Sequence, residues 1–450
     1  MNRLFFFSVY FYNRIMDPIL LKYKYRDILA IAAMNGKDVY ENELNKLSNL
    51  KANRENKLTI QSIFQTYWPL FKPRFIDRLR PAIITNVEKM IDCKNLAKGY
   101  LFFECPSCDQ FHLQGLSCHS RFCVSCNQRY REKRTLAVQS KLLDVPHRHF
   151  VFSIAKELRE YFRLYRGLFD VLFSSVNEAL QSLVFSSRVA VKEDRRLGLI
   201  AFLHTFGRDL KFNPHIHVLV AERTLDLHEN LRKFSYFHFE KLRLYFQLAL
   251  LRNISDHLKD HAPKEIYHRF NRLRSFLIFK YKKGFYAHGP QLKDHGVLNS
   301  AKKVSDYITR YASRPAISEE RILSLDPLTH RVTWCYDPHE DDHKSKDDST
   351  YLGRQVVTEH VFRFIARLIV HIPDQNFHTI RYFGFYANKS KKGVSAFKKL
   401  LSIVHIKLKR SRMNWRFMLK SIYRYHPILC SCGHTMRLNL DFSYLRDPGG

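Results

Sequence analysis

The sequence predicts an α+β protein in three parts: a helical N-terminal domain with a cysteine cluster, an antiparallel sheet with flanking helices, and a basic C-terminal region. Three observations carry this prediction. Apolar residues recur at helical spacing ahead of a cysteine-rich stretch, two long apolar runs suit paired buried strands, and lysine and arginine dominate the C-terminal part. The 450 residues allow about three domains at roughly 150 residues each.

The charge balance restricts the partners of the chain. Lys and Arg number 75 against 42 Asp and Glu, which gives a formal net charge of +33. This excess favours a polyanion, as nucleic acid or an anionic surface, over an acidic protein. Apolar runs stay well short of the roughly 20 residues that a membrane span needs, so we expect a soluble protein with no membrane partner. The clustering of five of the nine cysteines within 22 residues indicates a metal site in a reducing cytoplasm. Residues 1–57 are rich in Lys and Asn and are predicted to be an ill-ordered extension.

Helical spacing in residues 60–67 and 83–91 leads into the cysteine cluster. Chance predicts only about 0.2 Cys-x-x-Cys pairs in a chain of this composition, yet Cys105-Pro-Ser-Cys108 and Cys123-Val-Ser-Cys126 are both present. Each pair places two thiolates on one tight turn, and two turns complete a tetrahedral, closed and therefore structural zinc site. Cys118 and His112 are additional candidate ligands. Buried reduced cysteines, the rival interpretation, leave the spacing unexplained.

The central part shows alternating strand and helix patterns. The predicted elements are a strand at 149–154, two helices within 157–187, paired strands at 197–204 and 215–221, a helix at 238–258, a hairpin at 276–287, and helices at 300–313 and 358–371.

His215-Ile-His217 lies on the second of the two apolar strands. Alternate side chains of a strand share a face, so the two imidazoles can bind one divalent ion and leave its other positions open. Chance alone gives about one His-x-His in such a chain, and His147-Arg-His149 is a second instance. Taken alone, the motif fits structural histidines equally well.

Tyr307 and Tyr311 lie four residues apart on a predicted helix and so share one face. A phenol is a suitable nucleophile for a phosphodiester when a metal polarises the non-bridging oxygens. Two other tyrosine pairs have the same spacing, and aromatic packing is the alternative interpretation.

The basic C-terminal region contains twelve Lys or Arg and no Asp or Glu between Asn388 and Tyr425, with aromatic residues interleaved. This pattern suits a surface that follows a phosphate backbone. A solvated pair of basic helices is the alternative.

Five blocks, read in order, resemble one known family, the two-tyrosine rolling-circle transposases of bacterial insertion sequences (the insertion-sequence ninety-one family), which belong to the HUH endonuclease superfamily. The resemblance covers residues 58–390. The blocks are the cysteine stretch 105–126, Val145-Pro-His-Arg-His-Phe-Val-Phe-Ser153, Leu203-His-Thr-Phe-Gly207 with Asn213-Pro-His-Ile-His-Val-Leu-Val220, Tyr307-Ile-Thr-Arg-Tyr311 through Ser318, and Ile380-Arg-Tyr-Phe-Gly-Phe-Tyr386.

The resemblance implies a site and a reaction. His215 and His217 would hold a catalytic Mg or Mn ion, with His204 as the candidate third ligand, while Tyr307 and Tyr311 would attack single-stranded DNA and become linked to its 5′ phosphate. The implied partners are single-stranded DNA at element ends, target DNA in the bacterial nucleoid, and a further copy of the chain in a homo-oligomer.

The resemblance also implies domain boundaries. They are a zinc-binding DNA-binding domain at 58–146, an HUH core at 147–320, the remainder of the transposase domain at 321–390 and the basic region at 391–450.

Two features depart from the family pattern. Residues 1–57 have no counterpart in it, and Cys430-Ser-Cys432 has one intervening residue where the family has two, which leaves zinc binding there open.

Two classes of protein remain as alternatives. A non-catalytic zinc-dependent nucleic-acid-binding protein, or an inactive transposase remnant, would bind DNA without cutting it. A recombinase with three catalytic carboxylates, the weaker alternative, would nick DNA without a covalent adduct.

Overall fold

A computed structural model describes residues 58–289 except six single positions (109, 140, 144, 229, 235 and 236), together with 297–298, 315–338, 353–387 and 428–444. The extension 1–57, the predicted helix at 300–313 with Tyr307 and Tyr311, and most of the basic region lie outside the described residues. Within the described ranges the α+β class is confirmed, because helices flank three antiparallel sheets.

In chain order the described helices and strands are α1 (Ile60–Phe75), α2 (Pro81–Ile91), β1 (Tyr100–Glu104), β2 (Phe111–Gly115), α3 (Val124–Gln139), β3 (His147–Ser153), α4 (Arg159–Leu164), α5 (Leu168–Phe185), α6 (Arg188–Lys192), β4 (Arg196–Phe206), β5 (Phe212–Leu225), β6 (Leu231–Lys233), α7 (Phe239–His261), α8 (Lys264–Lys280), β7 (Ala287–His288), β8 (Val297–Leu298), β9 (Ile322–Asp326), β10 (Arg331–Tyr336), β11 (Gln355–His360), α9 (Val361–Ile369), β12 (Ile380–Phe383) and β13 (Arg437–Tyr444).

The central sheet has the order β12-β4-β5-β3-β7, with β6 beside β5 and β8 beside β3. Strands β4 and β5 are buried along most of their length, which explains why they appear as continuous apolar runs in the sequence. One face packs on α5 and α7 through residues such as Ala201 and Val218. The opposite face packs through Phe202 and Leu219 against Tyr386, and the histidines of β4 and β5 continue this second face.

The predicted hairpin at 276–287 is wrong, because α8 continues to Lys280 and β7 has only two residues. Phe270 and Leu277, seven residues apart, are fully buried and fix one face of the helix. Phe276 and Phe279 lie exposed on the outer side of that helix.

A second core joins the N-terminal helices to the chain after residue 315. Strands β9, β10 and β11 form a small sheet, and its buried Trp334 packs with Phe364 of α9 and with Phe64 of α1 in one cluster. Thr59 caps the N-terminus of helix α1, and its hydroxyl accepts a hydrogen bond from the Ser62 N–H at 3.0 Å. The domain boundaries given above remain a prediction.

Among the described residues, one helix, α5, is long and apolar enough to cross a membrane by length and composition alone. Its apolar face is buried in the central core, so we interpret it as a core helix.

Candidate functional site

Three histidines converge on one face of the central sheet. His204 of β4 lies directly opposite His215 of β5, and His217 lies two residues further along β5 on the same face. The ring centroids are 5.5 Å apart for His204 and His215, 4.8 Å for His204 and His217, and 4.9 Å for His215 and His217. One nitrogen from each ring lies within 4.8 Å of the others, so the three side chains can hold one divalent ion.

Neighbouring groups set the tautomers of two of these histidines. The Nδ1–H of His215 donates to the backbone oxygen of Asn213 at 2.7 Å, which leaves the lone pair on Nε2. Nδ1 of His217 lies 3.0 Å from Nε2 of His149. A metal on Nε2 of His217 would fix the proton on Nδ1. The Nδ1–H of His217 would then donate a hydrogen bond to Nε2 of His149.

Burial favours the neutral imidazoles that metal binding requires. It lowers the pKa of His215, and the positive charge of Arg159 lowers that pKa further. Burial also lowers the pKa of His149 to about 4. Arg159, in the first turn of α4, therefore places a positive charge next to the histidine site.

Described residues flank the segment that carries both tyrosines, and their positions are known on each side of it. Leu298 of β8 pairs with His147, two residues from His149 along β3. The chain is described again from residue 315, and Ile317 is buried in the second core. Tyr307 and Tyr311 themselves lie outside the described residues.

Two groups of four cysteines each bring their sulfur atoms within 4.8 Å of one another. The first consists of Cys93, Cys118, Cys123 and Cys126, in which Cys126 lies 3.6 Å from both Cys93 and Cys118. Hydrogen bonding with Cys118, and next with Cys123, lowers the pKa of Cys93 to about 7, which favours a thiolate.

The second group consists of Cys105, Cys108, Cys430 and Cys432. Sequence reasoning placed Cys105, Cys108, Cys123 and Cys126 around one ion, and the structure corrects this grouping. Each predicted pair stays together, but the two pairs belong to different clusters. The physical reason is strand pairing, because β13 lies beside β1 and brings the C-terminal cysteines to the first pair.

Cys118, predicted as an additional ligand, belongs to the first cluster, whereas His112 on β2 belongs to neither. Cys93 was missed because a single cysteine 33 residues before Cys126 has no spacing signal. His149 was seen only as part of a second His-x-His, and its contact with His217 arises from the pairing of β3 with β5, where the two rings are diagonal neighbours.

Comparisons with known proteins match two parts of the chain, one that contains the histidine site and one that contains the first cysteine cluster. A family model described as "Putative transposase" matches residues 198–393, which include all three histidines and both tyrosines. A model described as "Transposase zinc-binding domain" matches residues 63–154, which include the first cysteine cluster. No solved structure matches the chain at a significant level.

Two relatives are similar over most of their length. The transposase for insertion sequence element IS801 of Pseudomonas savastanoi pv. phaseolicola is 27% identical over 69% of this chain and 72% of its own. The "Putative transposase y4qJ" of Sinorhizobium fredii is 25% identical over 73% of this chain and 80% of its own.

These matches define a transposase, a DNA-processing enzyme with structural zinc and a DNA partner. The chain belongs to the insertion-sequence ninety-one family of transposases and has the zinc-binding domain of that family in its N-terminal part.

Proposed function

We propose that the protein nicks and rejoins single-stranded DNA at the ends of an insertion sequence through a 5′-phosphotyrosine intermediate, as in rolling-circle transposition. The observation that carries the proposal is the convergence of His204, His215 and His217 on one sheet face, within the region that matches the transposase model. The nucleophiles are Tyr307 and Tyr311, which lie in the same region.

The three histidines would hold a Mg or Mn ion. Three neutral imidazoles suit Mn better than Mg, which prefers oxygen ligands. When bound, such an ion polarises the non-bridging oxygens of the scissile phosphate and neutralises part of the charge that develops there.

The protein's own groups position the reactants. His149 holds the ring of His217 in place, and the guanidinium of Arg159 provides a positive charge beside His215 for the phosphate. The phenol of Tyr307 or Tyr311 loses its proton as its oxygen attacks phosphorus, the bond to the 3′ oxygen breaks, and the departing oxygen takes up one proton as a 3′ hydroxyl. Attack by a free 3′ hydroxyl on the phosphotyrosine reverses these steps and needs no ATP, because the bond energy is retained.

The experiment that tests this function is incubation with labelled single-stranded DNA from the flanks of the protein's own gene in the presence of Mn. A denaturing gel then reveals any covalent protein–DNA band. The band should be present in wild type, should require metal and should vanish in the Tyr307→Phe/Tyr311→Phe double variant. Tyr286→Phe, which changes an exposed tyrosine near β7, is the matched control and should keep the band.

Two other outcomes would refute the proposal. Tight DNA binding without any band would favour a zinc-dependent nucleic-acid-binding protein or an inactive copy. Nicking without a covalent band would favour a recombinase with catalytic carboxylates.

A further inference from the structure

Residues 428–444 fold against the N-terminal domain. Strand β13 pairs with β1, so that Phe103 lies opposite Leu438 and Glu104 opposite Arg437. β1 in turn pairs with β2, which gives a three-stranded sheet. Cys105 follows β1 directly, and this pairing places the C-terminal cysteines beside it.

The sulfur atoms of the second cluster have the spacing of a tetrathiolate metal site. Cys108 lies 3.3 Å from both Cys430 and Cys432, and Cys105 lies 3.5 Å from Cys432. A disulfide would need a separation of about 2.05 Å. The edge of a tetrahedron with Zn–S bonds of about 2.3 Å is roughly 3.8 Å, close to the separations observed.

The two turns that carry these cysteines have the same backbone design. The N–H of Cys105 donates to the carbonyl oxygen of Gln110 at 2.8 Å, and the N–H of Cys430 donates to that of His434 at 2.8 Å. The C-terminal turn is one residue shorter, as is the spacing of its cysteines. Gly433, with φ of +86°, adopts the left-handed conformation in this shorter turn at no steric cost.

We infer that Cys105, Cys108, Cys430 and Cys432 bind a second structural zinc ion, which fastens the C-terminal segment to the N-terminal domain. Four thiolates close the coordination shell, so the ion has no position for substrate. The Ser107 N–H donates to Cys105 Sγ at 3.4 Å, which stabilises a thiolate there. The inference does not depend on the reaction that the histidine site performs.

The site has a consequence for the basic region. Tyr386 is buried against His147 at one end of residues 388–427, and the second cysteine cluster fixes the other end. The stretch with twelve positive charges is therefore bounded on both sides by residues that pack against the described part of the chain.

Zinc content of the purified full-length protein, measured by plasma mass spectrometry, tests the inference. Wild type should contain two zinc ions per chain and the Cys430→Ser/Cys432→Ser variant one. Cys335→Ser is the matched control, since Cys335 is buried in β10 outside both clusters, and it should retain two. One zinc in wild type, or two in the double variant, would overturn the inference.

Hydrogen exchange on the same variant separates local loss of the site from general unfolding. Amides of β13 should exchange more than about 100-fold faster than in wild type, because structural zinc contributes directly to folding, while those of β5 should be unchanged. Unchanged protection of β13 would contradict the proposed site. Loss of protection in β5 as well would contradict the local role proposed for it.

Discussion

Protonation of His147 should destabilise the protein in mildly acidic solution. His147 begins β3, is buried, and its Nε2 lies 2.7 Å from the Tyr386 hydroxyl. The Leu143 N–H donates to that hydroxyl at 3.3 Å, so the hydroxyl hydrogen remains available for donation to a lone pair on Nε2 of the neutral His147. A proton on Nε2 would remove this acceptor from a buried site.

The magnitude follows from the pKa. Burial lowers the pKa of His147 from 6.5 to about 4, so the unfolded chain binds more protons than the folded one between these values. Stability is therefore lost as the pH falls below about 6.5. The full gap corresponds to roughly 3 kcal/mol, and the part lost between pH 7 and pH 5.5 is about 1 kcal/mol.

Urea unfolding followed by circular dichroism at pH 7.0 and 5.5 measures this loss. The His147→Phe variant keeps a ring beside Tyr386 but cannot titrate, so its free energy of unfolding should fall by about 1 kcal/mol less than that of wild type over this interval. His268→Phe, which changes an exposed histidine of α8, should behave like wild type. Equal pH dependence in wild type and His147→Phe would refute the reasoning.

Three further predictions follow, two on the histidine site and one on a buried ion pair between β3 and β5. His149→Phe should raise the Kd for Mn, measured by calorimetry, by about 10- to 100-fold. His149→Gln keeps a hydrogen-bond acceptor for His217 and should raise this Kd less. An equal loss of Mn affinity in the two variants would argue against positioning by a hydrogen bond. Arg159→Gln should slow single-turnover DNA cleavage by about 100-fold at unchanged Mn affinity, and an unchanged rate would exclude a role at the phosphate. Glu222→Ala leaves the buried guanidinium of Arg148 without its carboxylate and should lower the free energy of unfolding by roughly 3–5 kcal/mol, so an unchanged urea midpoint would show that the pair is dispensable.

The strands that carry the histidine site were predictable because a long apolar run must be buried, which favours a central strand of the sheet. The apolar run at 197–204 lies within β4, and the run at 215–221 lies within β5. These two strands are neighbours in the sheet. Predicting that His204 lies beside His215 required only that these strands pair, and its role as a metal ligand stays a proposal. The small sheet β9–β11 was missed because its strands have only five or six residues, and half or more of the residues of β9 and β11 are exposed, so they form no apolar run in the sequence.

The grouping of the cysteines was not predictable from spacing. Cys105 and Cys432 are 327 residues apart, and only the pairing of β1 with β13 brings them together. A Cys-x-x-Cys pattern shows which two thiolates share a turn, but the tertiary fold decides which turns share an ion. The role of His149 was hidden for the same reason, because it depends on the register between β3 and β5.

Locating the DNA adduct by peptide mass spectrometry tests the central claim most directly. Trypsin cleaves after Arg310 and not before Pro315, so Tyr307 falls in the peptide 304–310 and Tyr311 in the peptide 311–321. After the reaction with Mn and nuclease trimming, we predict a nucleotide linked through its 5′ phosphate to one or both of these peptides. The modification should be absent without divalent metal and in the His217→Ala variant. A nucleotide on any other peptide, or none on a protein that cleaves its DNA, would contradict the proposed mechanism.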